Sequence, residues 1–408
     1  MFKFIEKNIY NLIPLTFILA VLFVFISVSN LYQPVNRLDQ QFSELAKAFL
    51  HYKLYFLDNS IYNNYLFDNV LFNGHYYWPL GPLPAVILMP FVWLSSFGQI
   101  YFYQSYLNFF LVLLIAYLIF KLARRLNFLA TDSAYWSVAF VFSSMFLGVA
   151  IVSSSWYFAQ TVTVLLLFLA LLEYFGQKRY LLIGIILGLV LLTRATAFIG
   201  ILFFLLDILW GGAPNWRVKF KNIGQLAVGP LIGLLILFSY NYARFQDPFD
   251  QGYRAQILPA EFMADKNNYG LFNFRYLPRG LYYSLLSLPQ PVFNSSTHLI
   301  DFPFLKSDRW GMSIFLTSPY LLYLFFMKIK KKKAAMFLIT SIIIWLIIAA
   351  SFFIGYTQFG FRYALDFLPL LFTAFMITYQ DNREKMDSRL KIIIIVSAIF
   401  NLYLLFNI

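Results

Sequence analysis

Three charged residues of this chain have types and positions that suit chemistry on a phosphate-linked substrate: Asp39, Arg194 and Arg362. A carboxylate can take the proton of an attacking hydroxyl group, and guanidinium groups hold phosphates through charge-assisted hydrogen bonds. Arg194 interrupts a long apolar segment, where an arginine costs about 2.5–3.5 kcal/mol to insert into a membrane. These residues are therefore the first candidates for a catalytic carboxylate and a phosphate clamp.

Each candidate also has a structural interpretation. Asp39 stands at the start of a short amphipathic helix, where the helix dipole favours an acid, and Asp68 is the next catalytic candidate if Asp39 has only that role. Arg194 could extend its guanidinium group to the membrane surface. Arg362 could pair with Asp366, one helical turn on. For each of these residues, the sequence leaves the functional and the structural interpretation open.

Three aromatic or imidazole side chains are weaker candidates for substrate contact: His75, Tyr77 and Tyr363. Their rings could stack on a sugar face or a prenyl chain. Aromatic residues at a membrane surface also form interfacial belts without any substrate, and His75 follows the turn residues Asn73 and Gly74.

The composition places these residues in a polytopic membrane protein. Of 408 residues, 61% are hydrophobic and only 12% are charged, whereas a soluble domain carries about 25% charged residues. The net charge of +13 comes mainly from lysines and arginines in short loops beside apolar runs, as the positive-inside rule predicts. We therefore expect membrane lipids as partners and no nucleic acid.

We predict an all-α bundle of eleven membrane-spanning helices in one domain, residues 1–408. The spans are residues 11–29, 101–120, 134–152, 158–174, two within 180–210, 223–242, 313–327, 334–354, 364–379 and 392–406. A single helix over 180–210 would be about 46 Å long, too long for a core of about 30 Å, and it would invert the charge of every later loop. A hairpin that turns near Arg194 avoids both problems.

The same charge rule places two long loops, residues 30–98 and 243–311, on the outer, non-cytoplasmic side. In the first loop, apolar residues recur at helical spacing over 38–50, with Asp39 in the first turn. The apolar segment 79–97 carries Pro79, Pro82, Pro84 and Pro90. Because proline kinks a helix interior, we expect this segment to lie in, or dip into, the membrane interface.

Cysteine and histidine usage argues against several kinds of site. With no cysteine there is no disulfide, thiolate metal site or cysteine nucleophile. The three histidines are far apart and lack zinc-ligand spacing. No metal site or cofactor is predicted, although a divalent cation held by carboxylates stays open.

The order of these features resembles the GT-C superfamily of integral-membrane glycosyltransferases, such as protein O-mannosyltransferases and aminoarabinose transferases. The matching stretches are residues 38–54, 74–82, 184–194 and 361–369. The resemblance implies a polyprenyl-phosphate sugar donor, a catalytic acid at Asp39 and a lipid-phosphate ligand at Arg194. Gln40 stands where members often carry a second acid, and residues 153–161 lack the acid that several members have there. The acceptor class and metal dependence therefore stay open.

The expected activity is transfer of a hexosyl or pentosyl group to an acceptor hydroxyl, with inversion, at the outer face of a prokaryotic plasma membrane. The acceptor could be a lipid, a glycan or a protein. The alternatives are a polymerase or ligase of lipid-linked glycans, a transporter or flippase of lipid-linked sugars, and a structural partner. A transporter of this kind usually carries interrupted helices in corresponding halves, which the sequence does not show.

Overall fold

A computed structural model describes residues 39–58, 68–211 and 215–407. Within them lie the α-helices α1 (Gln41–Leu50), α2 (Leu83–Ser96), α3 (Gln104–Arg125), α4 (Ala130–Val141), α5 (Phe146–Ile151), α6 (Ser155–Tyr174), α7 (Tyr180–Leu191), α8 (Ala195–Phe198), α9 (Ile201–Trp210), α10 (Trp216–Phe245), α11 (Ala260–Tyr269), α12 (Leu277–Leu281), α13 (Ile314–Thr317), α14 (Lys332–Ala349), α15 (Leu368–Asn382) and α16 (Ser388–Leu405). Short 3-10 helices cover Tyr253–Ala255, Phe274–Tyr276, Pro319–Phe326 and Arg362–Asp366, and Tyr282–Leu286 is a π-helical turn.

Two antiparallel hairpins interrupt the helices, so the described chain is mostly but not entirely α-helical. In the first, β1 (Val70–Phe72) pairs with β2 (His75–Tyr77). Its turn residues Asn73 and Gly74 both have positive φ, as a two-residue Asn-Gly hairpin turn requires. In the second, β3 (Gln290–Phe293) pairs with β4 (Ile300–Lys306). Both hairpins lie in the predicted outer loops.

Five of the described helices are long and apolar enough to cross a membrane: α3, α6, α10, α14 and α16. They correspond to the predicted spans 101–120, 158–174, 223–242, 334–354 and 392–406. Helix α2 is a shorter apolar helix with Pro90 inside it. The predicted span 11–29 lies outside the described residues, and the count of eleven stays a prediction.

Three predicted spans are not continuous α-helices. The span 134–152 is broken after α4, because the Ser144 hydroxyl bonds the Phe140 carbonyl (2.6 Å) and the Phe146 amide (3.0 Å), in place of regular helical bonds. The span 313–327 is α13 followed by a 3-10 helix that starts at Pro319, a residue that cannot continue the α-helical hydrogen bonding. The span 364–379 begins only at Leu368, after a 3-10 turn.

The break predicted at Arg194 is present. Helix α7 ends at Leu191, and α8 begins at Ala195. The chain then returns to the level where α7 starts. Asp207, near the end of α9, forms an ion pair with Lys178 just before α7 (2.6 Å) and accepts a hydrogen bond from the hydroxyl of Tyr180, the first residue of α7 (3.4 Å). The segment 180–210 is therefore a hairpin.

The described residues form two compact units. The first, here the Asp39 unit, comprises the described parts of 33–111 and 153–273; the second, the Arg362 unit, comprises 112–152 and 274–407. The single domain expected over 1–408 stays a prediction.

Glycines bring two helices of the Asp39 unit into backbone contact. A Cβ atom at Gly184 would lie 2.3 Å from the Leu226 carbonyl oxygen, and one at Gly188 would lie 2.3 Å from that of Gly229. Such contacts between small residues are typical of membrane helix pairs. They hold α7, the first half of the Arg194 hairpin, directly against α10.

Each unit gathers predicted cytoplasmic loops at one end. In the Asp39 unit, Lys178 bonds Asp207, and the Lys219 ammonium donates to the Leu209 carbonyl (2.7 Å). In the Arg362 unit, the Met386 amide in the loop before α16 donates to Asp132 at the start of α4 (3.0 Å), and Lys391 in the first turn of α16 pairs with the same carboxylate (2.8 Å). The lysine-rich loop before α14 reaches the end of α15. The charge pattern predicted from sequence is thus consistent within each unit.

Candidate functional site

Asp39 is held by its main chain. The Gln104 side-chain amide donates to the Asp39 carbonyl oxygen (2.9 Å), and the Ser155 hydroxyl donates to the same oxygen (3.0 Å). Helix α1 begins at Gln41, so Asp39 lies two residues before the helix. The prediction that Asp39 lies in the first turn of this helix is therefore wrong. The carboxylate takes no part in these two bonds, and the residue is half-buried.

The clamp is built from the first residues of two helices. Gln104 begins α3, and its backbone N–H, which has no helical partner, donates to the Gln40 side-chain oxygen (3.0 Å). The Gln104 amide also donates to the Ser153 carbonyl (2.7 Å), just before α6. Gln40 therefore has a structural role beside Asp39.

Three helix N-termini meet around Asp39. Helices α3 and α6 contribute Gln104 and Ser155, and α1 contributes the Phe42 amide, which donates to the Ser155 hydroxyl (3.3 Å). The N-terminal end of a helix carries a partial positive charge, and its free N–H groups favour anions. The surroundings of Asp39 therefore suit a negatively charged group.

Two tryptophans lie beside this clamp. Trp78 is fully buried and meets Phe42 edge-on at a ring-centroid distance of 6.0 Å. The half-buried Trp156 packs against Trp78 at 5.2 Å and is the direct neighbour of Ser155. The wall next to Asp39 is therefore aromatic and only partly covered.

A buried arginine that the sequence analysis missed fixes this wall. Arg244, near the end of α10, is 3% exposed, and its guanidinium group donates to the Trp78 carbonyl and to the Asn241 side-chain oxygen, both at 2.8 Å. It also lies over the Tyr240 ring, 3.8 Å from its centroid. The only sequence signal was an arginine at the end of an apolar run, which resembles an ordinary flanking charge.

His75 and Tyr77, in the second strand of the first hairpin, pack against aromatic residues outside it. The His75 ring stacks on Tyr55 at 3.8 Å, and Tyr77 packs against Phe245 at 5.2 Å. Burial raises the pKa of the Tyr77 hydroxyl, and the nearby Tyr55 adds to the rise. These contacts give both side chains structural roles, and substrate contact stays a prediction for them.

Asp68, the alternative catalytic candidate, connects the two outer loops. Its carboxylate accepts a hydrogen bond from the Gln256 amide (3.0 Å), and its backbone N–H donates to the Ile257 carbonyl (3.0 Å). Residues of the two loops thus lie together in the Asp39 unit, as their predicted placement on one side requires.

Arg194 is the half-buried residue at the turn between α7 and α8. The segment after Trp78 packs on this turn: the Leu83 amide donates to the Leu192 carbonyl (3.2 Å), and a Cβ atom at Gly81 would lie 2.1 Å from the same oxygen. Packing therefore connects Arg194 to the tryptophan wall beside Asp39.

Arg362 and Tyr363 belong to the other unit. Arg362 is buried, 6% exposed, and its guanidinium carbon lies 4.7 Å from the centroid of the Tyr363 ring. Asp366, at the end of the same 3-10 turn, is fully buried. A phosphate clamp formed by Arg194 and Arg362 stays a prediction.

In the described ranges 39–58, 68–211 and 215–407, no group of three or more histidine, aspartate or glutamate residues is arranged to hold a metal ion. The side chains that hold the Asp39 main chain, Gln104 and Ser155, are neutral hydrogen-bonding groups.

By sequence, the chain matches no protein-family model and no curated protein. By structure, it is similar to the crystal structure of the Archaeoglobus fulgidus oligosaccharyltransferase in the apo form, with a TM-score of 0.45 and 15% identity. The match covers 95% of this chain and 55% of that one, so the chain spans about half the length of the archaeal protein. The function of the present chain is therefore inferred from the geometry around Asp39.

Proposed function

We propose that this protein is a membrane glycosyltransferase that moves a sugar from a polyprenyl-phosphate donor to an acceptor hydroxyl group, with Asp39 as the general base. The observation that carries the proposal is the clamp on the Asp39 main chain by Gln104 and Ser155. It fixes the backbone of a half-buried carboxylate among three helix N-termini, and a positioned base of this kind contributes about 10²–10⁴-fold to a rate.

The reaction needs few groups. The acceptor oxygen attacks the anomeric carbon of the sugar, and Asp39 takes the hydroxyl proton as the new C–O bond forms. The bond between the anomeric carbon and the phosphate oxygen breaks, and the phosphate leaves with the electron pair as an anion. Direct attack opposite the leaving group inverts the anomeric centre, by the same logic as in inverting glycosidases.

Positive groups would stabilise the leaving phosphate. The N-termini of α3 and α6 supply partial positive charge beside Asp39, and Arg194 is our proposed ligand for the lipid phosphate, because its turn packs on the segment that follows Trp78. We propose Arg362 as a second phosphate ligand on its sequence motif alone.

The partly covered Trp156 suits the sugar. It lies beside Ser155 and packs on Trp78, so its ring is held firmly next to the clamp. A flat aromatic ring can cover the apolar C–H face of a pyranose or furanose ring. We propose that Trp156 forms the sugar platform; substrate contact by His75, Tyr77 and Tyr363 stays a prediction.

The proposed location is a prokaryotic plasma membrane, with the site on the outer face. Helix α6 carries Ser155 of the clamp at its first residue, and its other end leads to Lys178 and Arg179. Basic loops favour the cytoplasmic side, so Asp39 would lie at the opposite surface, where lipid-linked sugars and acceptors could meet.

The test is transfer of radiolabel from polyprenyl-phosphate sugars by the purified protein in lipid nanodiscs with native membrane extract. The Asp39→Asn variant keeps the shape of the side chain but cannot take a proton, so turnover should fall by about 10²–10⁴-fold while donor binding persists. Asp58→Asn is the matched control, because Asp58 is an exposed acid of the same loop. Near-wild-type transfer by Asp39→Asn would remove Asp39 from the mechanism.

A further inference from the structure

The hairpin formed by β3 and β4 carries a cluster of exposed apolar side chains. Phe302 is 74% exposed, Ile300 61%, Phe293 55% and Phe304 54%, and Leu299 beside the turn is 70% exposed. The centroids of the Phe302 and Phe304 rings lie 5.9 Å apart, and most of the surface of both side chains stays uncovered. Adjoining apolar surface of this kind usually marks an interaction site with protein or membrane.

The base of this hairpin is attached to the end of a helix that can cross a membrane. Directly after β4, the Ser307 backbone N–H donates to the Asn407 carbonyl (2.9 Å), and its hydroxyl donates to the Leu404 carbonyl (2.7 Å). Leu404 lies in the last turn of α16. The hairpin therefore starts at the level where α16 ends.

Charged residues lie at only one end of α16. Asp387 precedes the helix, and Arg389 and Lys391 lie in its first turn, whereas residues 400–405 at the other end carry no charge. The middle of the helix has the exposed apolar side chains Val396 (58%) and Ile399 (56%). A spanning helix places such side chains against lipid and its charged end in water. If α16 spans a membrane in this way, the hairpin base lies near the membrane surface opposite the basic end of α16.

We propose that the β3–β4 hairpin lies in the headgroup region of the bilayer, with Phe293, Phe302 and Phe304 inserted among the lipids. Phenylalanine is one of the apolar side chains that segments lying in this region insert among the lipids. A two-stranded hairpin has unpaired N–H and C=O groups along both edges, and these groups cannot enter the hydrocarbon core without a large cost. The hairpin should therefore insert by about 5–10 Å, as interfacial amphipathic segments do, and no deeper.

The polar groups of the hairpin agree with this depth. Asp301 accepts a hydrogen bond from the Asn294 amide (3.3 Å), and Lys306 is exposed at the end of β4. Asp301 lies between Ile300 and Phe302, and Lys306 follows Phe304 by two residues; both charges can stay in the hydrated headgroup layer. A binding face for a charged peptide would instead need a patch of one charge, and the hairpin has one residue of each sign between Gln290 and Lys306.

The chain has no cysteine, so single cysteines can be labelled with an environment-sensitive fluorophore in nanodiscs that contain nitroxide lipids. Phe302→Cys is the test position. Val396→Cys on α16 is the deep control, and Lys385→Cys, exposed in the basic loop, is the aqueous control. Each variant is first checked for an unchanged elution profile, and Phe304→Cys replaces Phe302→Cys if that variant does not fold.

We expect the Phe302 label to emit at shorter wavelength than the Lys385 label and to be quenched best by a nitroxide near the headgroup. The Val396 label should be quenched best by a nitroxide deep in the acyl chains. Emission like that of the Lys385 label, with quenching by aqueous iodide, would overturn the proposal. Protection that appears only after an acceptor or protein extract is added would overturn it too, and would point to a protein-binding face. None of these readouts depends on sugar transfer, so the result is independent of the proposed function.

Discussion

Replacing Gln104 by methionine tests whether the clamp positions Asp39. The side chain is fully buried, and its amide donates to the Asp39 and Ser153 carbonyl oxygens at 2.9 and 2.7 Å. Methionine has a similar length and no donor. Each lost hydrogen bond is worth about 0.5–1.5 kcal/mol net, so Gln104→Met should lower the free energy of unfolding by about 1–3 kcal/mol.

The kinetic effect should exceed what this loss of stability explains. Ser155 still bonds the Asp39 carbonyl, but one anchor cannot fix its direction, and a displacement of about 1 Å near the reacting atoms can cost about 10²-fold in rate. We therefore expect kcat to fall by about 10–100-fold, at a temperature where the variant is fully folded, with KM for the lipid donor nearly unchanged.

The assay is steady-state transfer at several donor concentrations, together with thermal unfolding of the same sample. Gln177→Met is the matched control, because Gln177 is exposed, and it should change neither quantity. If Gln104→Met loses stability but keeps the wild-type kcat, the clamp is only structural and the reasoning about Asp39 fails.

Three further tests, at Arg194, Gly188 and Arg244, probe the surroundings of the site. Arg194→Ala should weaken binding of the lipid donor by about tenfold or more, and Arg194→Lys should recover part of it, since the charge survives while the planar fork is lost; unchanged affinity would make Arg194 a membrane anchor. Gly188→Ala should destabilise the protein by about 1–3 kcal/mol because the new methyl group meets backbone, whereas Gly224→Ala, which has open space, should be neutral; equal melting temperatures would contradict this. Arg244→Met leaves the Trp78 carbonyl without its donor and should cost about 1–3 kcal/mol in thermal unfolding, whereas the same change at the exposed Arg254 should cost nothing measurable.

Sequence patterns predicted the features that depend on length, charge and apolar runs. The turn near Arg194 followed from a segment too long for one crossing, and the bond between Lys178 and Asp207 shows that the chain does return there. The helix start predicted near Asp39 was wrong by two residues, since α1 begins at Gln41. The Gln40 side chain accepts a hydrogen bond from the first amide of α3, and apolar periodicity cannot detect such a contact.

Other features depended on tertiary contacts that no local pattern shows. Gln104 and Ser155 are far from Asp39 in the chain, and each looks like an ordinary polar residue at the end of an apolar run. The break after α4 comes from serine hydroxyls, one of which, on Ser143, bonds the distant Ile394 carbonyl (2.6 Å). The first hairpin did have a local signal, the pair Asn73 and Gly74 between two short β-prone runs, and it was interpreted only as a turn.

The glycine contact between α7 and α10 restricts how the protein can move. Pro230 follows Gly229 in α10 and has no N–H to give to the Leu226 carbonyl, four residues earlier. That carbonyl faces Gly184, where a side chain would collide with it. If the two helices separated, the close backbone packing at Gly184 and Gly188 would be lost, and lipid would reach a carbonyl without a helical donor. Helices α7 and α10 should therefore move only together, as one rigid body. Any opening that admits a lipid tail toward Arg194 has to occur between other helices.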